Sequence, residues 1–405
     1  MKLYELSLVE LMDGIKNNNI TVEDVVICHI WRCESVDGTL KAFESYDFEF
    51  ILNEAKKIDD GFYSHDMSFR GIPIGVKDCY NTERLCTKRG SKLYENYTAG
   101  NDARIIRKIR DEGALILGKT KTSEFSVHSP SDTTNPHNIK YTPGTSSGGS
   151  AVAVASGIVP LSFGTQTAAS TSKPASYCGI YGFKPTFGLF PRTGVLKTSD
   201  TLDTLSVFTR NIEDLEYTFD NLRLKGEDYP YIYNNIDITE GKKCCETFKV
   251  ALILSDTFKY KPEYAKNAFK SLENELKTKD GIEVEVIGLP DFLVDSRIVH
   301  SKIYNKSISY YFKEEYKHID AMMFGAPTAS AWTLLHPEYT VVAPKPAQPP
   351  LSMAFAINSE DSAFELFMRN WIQMKKQNND IDRLFEFWIA GKKPNFLSTK
   401  KIELN

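Results

Sequence analysis

Residues 141–194 read YTPGTSSGGSAVAVASGIVPLSFGTQTAASTSKPASYCGIYGFKPTFGLFPRTG, and the rest of the chain is arranged around them. A Ser/Gly turn (Ser146, Ser147, Gly148, Gly149) leads into a small-residue helix from Ser150. A short apolar strand is expected near 159–163, then a second small-residue turn ending at Ser170. Upstream, residues 71–78 (GIPIGVKD) place Lys77 straight after an apolar run.

A proton could pass along three of these side chains. A serine hydroxyl is a poor nucleophile until a neighbouring base takes its proton. Histidine is the usual base, but the region around the stretch offers only His128 and His137, both in a polar loop just before it. Lysine can serve where burial lowers its pKa enough to leave it neutral. A lysine ending an apolar strand suits that, and a second serine can bridge it to the nucleophile. Lys77, Ser146 and Ser170 therefore read as one catalytic unit. Small residues around Ser170 would let backbone amides approach a developing oxyanion. Taken singly, each piece is ordinary: Ser-Ser-Gly-Gly turns are common loops, and most lysines are solvated.

Together, GIPIGVKD, PGTSSGGSAVAVASG and GTQTAASTSKPASYCGIYGFKPTFG resemble the amidase signature family, Ser-cisSer-Lys amide hydrolases. Order and spacing agree, with Ser170 placed 24 residues after Ser146. The resemblance implies Ser170 as nucleophile, Ser146 as bridging serine on a cis peptide, and Lys77 as base. It implies an oxyanion hole from the amides of Thr167, Ala168, Ala169 and Ser170, with Ser147 and Gln166 hydrogen-bonding behind them. The fold class it implies is α/β, a layered mixed sheet covered by helices. No cofactor and no metal are implied.

The chain departs from that pattern in places. Ala168-Ala169 stands where Gly-Gly or Ala-Gly is usual, Ser172-Lys173 where Ile-Arg is usual, and Thr145 where glycine is common. Gln166 replaces an aspartate, as in a subset of the family. Were Ala168 or Ala169 to need a positive φ, its Cβ would be strained there. Lys119, ending a second apolar run at 114–117, is a rival base. It ranks below Lys77 because only Lys77 has the GVKD setting.

The totals exclude several classes. A length of 405 residues and 41% apolar content suffice for a sizeable core. A net charge of −4 gives no basic footprint for nucleic acid. The amphipathic, acidic start does not resemble a signal peptide, and no run is long enough for a membrane span. Seven cysteines (28, 33, 79, 86, 178, 244 and 245) show no disulfide or zinc pattern, which fits a reducing cytoplasm. Cys178 reads as packing, and the vicinal Cys244-Cys245 as two unremarkable loop thiols.

Taken in order, Ser7 with Glu10 reads as a capping box, and Leu8, Leu11, Met12 and Ile15 follow at helical spacing. A second helix from Thr21 carries Val22, Val25, Val26, a half-buried structural His29 and Trp31, and both helices should pack on the main body. A third covers 50–58; Asn101 or Asp102 should cap a fourth, which Gly113 stops. Alternating helices and short apolar strands argue for a layered α/β sheet. Residues 224–243 read as a polar, aromatic surface excursion, 249–254 and 282–286 as strands, and 296–316 as a long helix whose Tyr/Ile stripe is core.

The amidase resemblance spans about 5–317, so residues 1–317 read as the catalytic domain. Residues 318–394, with their WI…K…N…DRL…WI.GK pattern, are instead similar to the C-terminal end of amino-acid-type solute-binding proteins. That atypical α/β tail is read as structural, with Trp371, Phe387 and Trp388 as packing, and 395–405 as a loose terminus. The expected function is hydrolysis of an amide or urea-type bond in a small molecule through an acyl-enzyme. Acyl transfer, or one component of an amidotransferase, is the near alternative. An amidase scaffold that binds without turnover is the rival of another class, and a homodimer is an open option for assembly.

Overall fold

Short apolar runs separated by amphipathic helices assemble here into one mixed sheet. The computed structural model describes residues 2–225, 247–255 and 257–315, and the backbone of 321–325, 339–342 and 353–358. The strands of the sheet are β1 (Phe43–Tyr46), β2 (Pro73–Lys77), β3 (Leu115–Thr120), β4 (Leu161–Gln166), β5 (Tyr181–Phe183) and β6 (Thr204–Thr209). Their spatial order is β1-β3-β2-β4-β6-β5. The central β3-β2-β4 pairs are parallel and the flanking pairs antiparallel. Every residue of β2 is buried, as a strand covered on both faces requires.

Helices α1 (Leu8–Lys16), α2 (Val22–Leu40), α3 (Phe48–Asp59), α4 (Arg104–Asp111), α5 (Gly148–Ala155), α6 (Ser172–Cys178) and α7 (Ile212–Leu222) surround the sheet. The Ser7–Glu10 box starts α1: Ser7 Oγ accepts from Glu10 N at 3.1 Å, and Ser7 N donates to Glu10 Oε2 at 2.7 Å. Asp214 of α7 accepts from the amides of Leu8 and Val9, tying the two helices together. Thr21 and Asp24 form the second box.

Several expectations need correction. α4 is entered at Ala103 without a side-chain cap, because Asp102 turns away to Glu83 N and Arg110. Gly113 follows α4 with φ +91°, a conformation that favours glycine. Trp31 is 52% exposed and stacks on Tyr4 rather than facing the core. His29 is fully buried, not half-buried. Its Nδ1 donates to the Ile158 carbonyl at 2.9 Å, and burial pushes its pKa down to about 4. β3 runs on to Thr120, so Lys119 lies within the strand.

Helix α5 passes through the core and is buried from Gly148 to Val154. Its small residues follow from how closely other backbone approaches. A Cβ on Gly149 would lie 2.4 Å from Ala42 O and 2.5 Å from Lys121 N. Beyond the main sheet, β7 (Phe248–Leu254) and β8 (Ile282–Gly288) pair in parallel across α8 (Glu263–Lys277).

By contacts the chain divides into residues 1–294 and 295–405. In the second unit, α9 (Ser296–Tyr311) buries Tyr304 and Ile308 but exposes Ile298, Val299 and Ile303, so only part of its apolar stripe is core. Strands β9 (Ala321–Gly325), β10 (Tyr339–Val342) and β11 (Met353–Asn358) form an antiparallel sheet in the order β10-β11-β9. The expected boundary at 317, most of the excursion at 224–243, Cys244-Cys245, Trp371, Phe387, Trp388 and the 395–405 terminus lie outside the described residues.

Two glycine substitutions separate crowding from chain entropy. Gly149→Ala should lower the urea midpoint by an amount equivalent to about 1–3 kcal/mol, because its methyl meets backbone on several sides. Gly38→Ala, in α2 with no atom within 4 Å of the new methyl, should raise stability by about 0.5–1 kcal/mol. Equal effects of the two substitutions would contradict this.

Candidate active site

Strand β2 delivers Lys77 to the carboxyl end of the sheet beside β4, with Val76 opposite Phe163. Lys77 is 0% exposed. Its Nζ bonds Ser146 Oγ and Thr165 Oγ1, each at 2.7 Å. Burial lowers its pKa from 10.5 to about 8, against smaller opposing effects of Cys79 and Asp203. Ser146, 2% exposed, follows a cis Thr145–Ser146 peptide just before α5. Ser147 begins that helix and both donates to Thr165 O at 3.2 Å and accepts from Thr165 N at 3.3 Å. The end of β4 is thereby fixed to the start of α5.

The turn between β4 and α6 carries the other expected residues. Gln166 Oε1 accepts from Thr171 N at 2.9 Å and Ser172 N at 3.0 Å, supplying the cap that Thr171 does not. Thr167 Oγ1 donates to Asp203 Oδ1 at 2.6 Å. Ala168 and Ala169 are exposed, and neither adopts a positive φ, so their methyl groups meet no backbone strain there. The amides of Ala168, Ala169 and Ser170 donate to no acceptor among the described residues. Three unsatisfied donors in one turn are what an anionic oxygen would need. Ser170 is partly exposed, and its hydroxyl has no hydrogen bond among the described residues. The structure thus joins Lys77 to Ser146 and leaves Ser170 unbonded to either.

Lys119 occupies a different environment. It pairs with Val76, one residue before Lys77's own partner Thr120, so it faces the other side of the sheet. Its Nζ donates to Tyr80 O at 2.6 Å, Thr87 Oγ1 at 2.9 Å and Thr82 Oγ1 at 3.3 Å, and lies 3.5 Å from Asp78 Oδ1. It is a strut for the loop after β2. His137 Nε2 meets Cys178 O at 2.8 Å, while His128 is exposed. Cys178 is buried against Pro143 O, as packing. Cys28, Cys33, Cys79, Cys86 and Cys178 are free thiols.

Nothing local in the sequence marks Thr165 or Asp203. Thr165 becomes visible only once β2 and β4 pair. Asp203 comes from the segment before β6 and has no local motif. Lys173 stands out in the sequence only as a departure, yet its Nζ reaches Thr145 Oγ1 at 3.2 Å. Among the described residues, no cluster of three or more His, Cys, Asp or Glu could hold a metal, and no helix is long and apolar enough to cross a membrane.

Comparison with known proteins places this geometry in a family. A glutamyl-tRNA(Gln) amidotransferase subunit from Shouchella clausii is 39% identical over 223 residues, 54% of this chain and 46% of the relative. The corresponding amidotransferase subunit from Fusobacterium nucleatum is 36% identical over 221 residues, 53% of this chain and 45% of the relative. The chain thus spans about half the length of these relatives. Among solved structures, an amidase family protein from Bacillus anthracis superposes with a TM-score of 0.65 at 25% identity, covering 77% of this chain and 66% of that one. Peptide amidase from Stenotrophomonas maltophilia shares the fold, with a TM-score of 0.62 at 22% identity over 82% of this chain and 72% of that one. The family model named Amidase matches residues 24–353, running past the expected border at 317 into the stretch likened to solute-binding proteins. With well over half its residues inside that match, the chain belongs to the amidase family.

Proposed function

We propose that the chain hydrolyses a carbon–nitrogen bond in a small linear amide or urea, in a reducing cytoplasm, by way of an acyl-enzyme on Ser170. The observation that carries this reading is the buried Lys77 amine 2.7 Å from Ser146 Oγ, with its pKa brought down to about 8. A neutral amine has two N–H groups and one lone pair. It can donate to Thr165 while its lone pair accepts the Ser146 proton. Ser146 in turn takes the proton of Ser170 as that hydroxyl turns toward it.

Ser170 Oγ then attacks the carbonyl carbon. The amides of Thr167, Ala168, Ala169 and Ser170 hold the oxygen that gains charge. As the carbon–nitrogen bond breaks, the proton returns through Ser146 to the leaving nitrogen. Water, activated by the same relay, attacks the ester carbonyl, and Ser170 recovers its proton. Ala168 and Ala169 do not bar this chemistry, since their backbone lies in the ordinary region.

A second reading is an amidotransferase component, in which glutamine is the amide cleaved and its nitrogen goes to a partner-held acceptor. The names of the curated relatives favour it. The two readings share the acyl-enzyme and differ in what consumes the released ammonia.

A serine-reactive fluorophosphonate should label the wild type at Ser170 and leave Ser170→Ala unlabelled. Lys77→Ala and Ser146→Ala should slow labelling by about 10²–10⁴-fold, the usual worth of a positioned general base. Folded wild type that takes no label would identify a binding protein without turnover. Screening amides, ureas and glutamine for ammonia release would then assign the substrate class.

The pH profile follows from the base. Lys77 works only when neutral, so the labelling rate should climb as pH rises through about 8 and level off above it. A rate that is flat across that value would remove Lys77 as the base.

A further inference from the structure

Asp203 is 8% exposed, and its carboxylate gathers four donors. Oδ2 accepts from Thr198 N at 2.7 Å and Ser199 N at 2.9 Å. Oδ1 accepts from Thr198 Oγ1 and Thr167 Oγ1, both at 2.6 Å. Each hydroxyl has one proton to give. With both given to Oδ1, the 3.1 Å approach of Thr167 and Thr198 carries none, and the carboxylate holds these hydroxyls side by side. Arg192 Nη1 bonds the Asp203 carbonyl, not its carboxylate, so no arginine competes for those oxygens in that contact.

Thr167 opens the turn in which the amides of Ala168, Ala169 and Ser170 donate to no acceptor among the described residues. At the turn's far end Gln166 Oε1 grips Thr171 N and Ser172 N. The turn is thus tethered twice, once locally by Gln166 and once to a distant segment by Asp203. The second tether fixes the side chain of the turn's first residue, just past the last β4 pairing of Gln166 with Thr204. An oxyanion hole acts only when its donors are oriented before the charge develops.

We propose that Asp203 is a positioning residue for the hydrolytic reaction: its carboxylate ties the Thr198–Ser199 backbone to the Thr167 hydroxyl and so aims the 167–170 amides at the oxyanion. The inference rests on the amide-hydrolase reading and extends it to a residue that touches no substrate. The same carboxylate also acts at a distance on the base. With Cys79, Asp203 is one of the two groups whose charge favours the protonated form of Lys77. Its charge therefore leaves a second mark, separable from positioning.

The experiment compares fluorophosphonate labelling of the full chain across pH for wild type, Asp203→Asn, Thr167→Val and Thr167→Ser, with folding checked by circular dichroism. Asp203→Asn and Thr167→Val should both label about tenfold or more slowly, and Thr167→Ser, which keeps the hydroxyl, should recover most of the rate. The acid limb should move to lower pH in Asp203→Asn, because a charge that favoured protonated Lys77 is gone, and stay in place in Thr167→Val. If Asp203→Asn does not fold, the Thr167→Val and Thr167→Ser pair decides alone. Wild-type rates in Asp203→Asn and Thr167→Val, or equal losses in Thr167→Val and Thr167→Ser, would overturn the inference while labelled wild type leaves the hydrolase reading standing. Wild type unlabelled at Ser170 would overturn both.

Discussion

An ammonium group withdrawn from water at the end of a central strand sets the terms for everything around it. Burying that charge is costly unless it is paired or lost. Lys77 has no described carboxylate within ion-pair distance, and its contacts are two hydroxyls. Burial makes the proton easier to give up, and a pKa lowered to about 8 expresses that. Lys119 makes the contrast. Equally buried, it sits against Asp78 and three further oxygens, and it anchors a loop. Burial lowers the pKa of both lysines, but only Lys119 has a carboxylate beside it to favour the charge.

The scaffold explains why small residues dominate this region. Ser146 can reach Lys77 only if α5 starts close to the strands. That closeness leaves no room for a side chain at Gly149, nor at Gly164, where a Cβ would lie 2.5 Å from Phe208 and 3.0 Å from Ser147 Oγ. Ser147 closes the arrangement by bonding both backbone groups of Thr165. Chain geometry and proton path are therefore one constraint.

Much of this is legible in the sequence, because the informative signals are local. Ser7–Glu10 and Thr21–Asp24 announce two helices through capping chemistry, and Lys77 announces itself as the end of an apolar run. The three expected elements of the site fall where β2, α5 and the β4–α6 turn place them. Contacts between distant segments are not legible. Thr165 meets Lys77 only through strand pairing, and Asp203 reaches Thr167 from the segment preceding β6. Asp102 fails as a cap because Arg110 and Glu83 N compete for its oxygens. Trp31 sits on the outer side of α2 because Tyr4 offers it a stacking partner there. In each case a tertiary contact overrides a sequence-local preference.

The account turns on the charge of one amine, and that charge can be read directly. Protein carrying 15N and 13C in its lysine side chains, with Lys77→Arg used for assignment, would give the Lys77 titration by NMR. A midpoint near 8 is the result the account predicts, and a midpoint at the ordinary lysine value of 10.5 would contradict it.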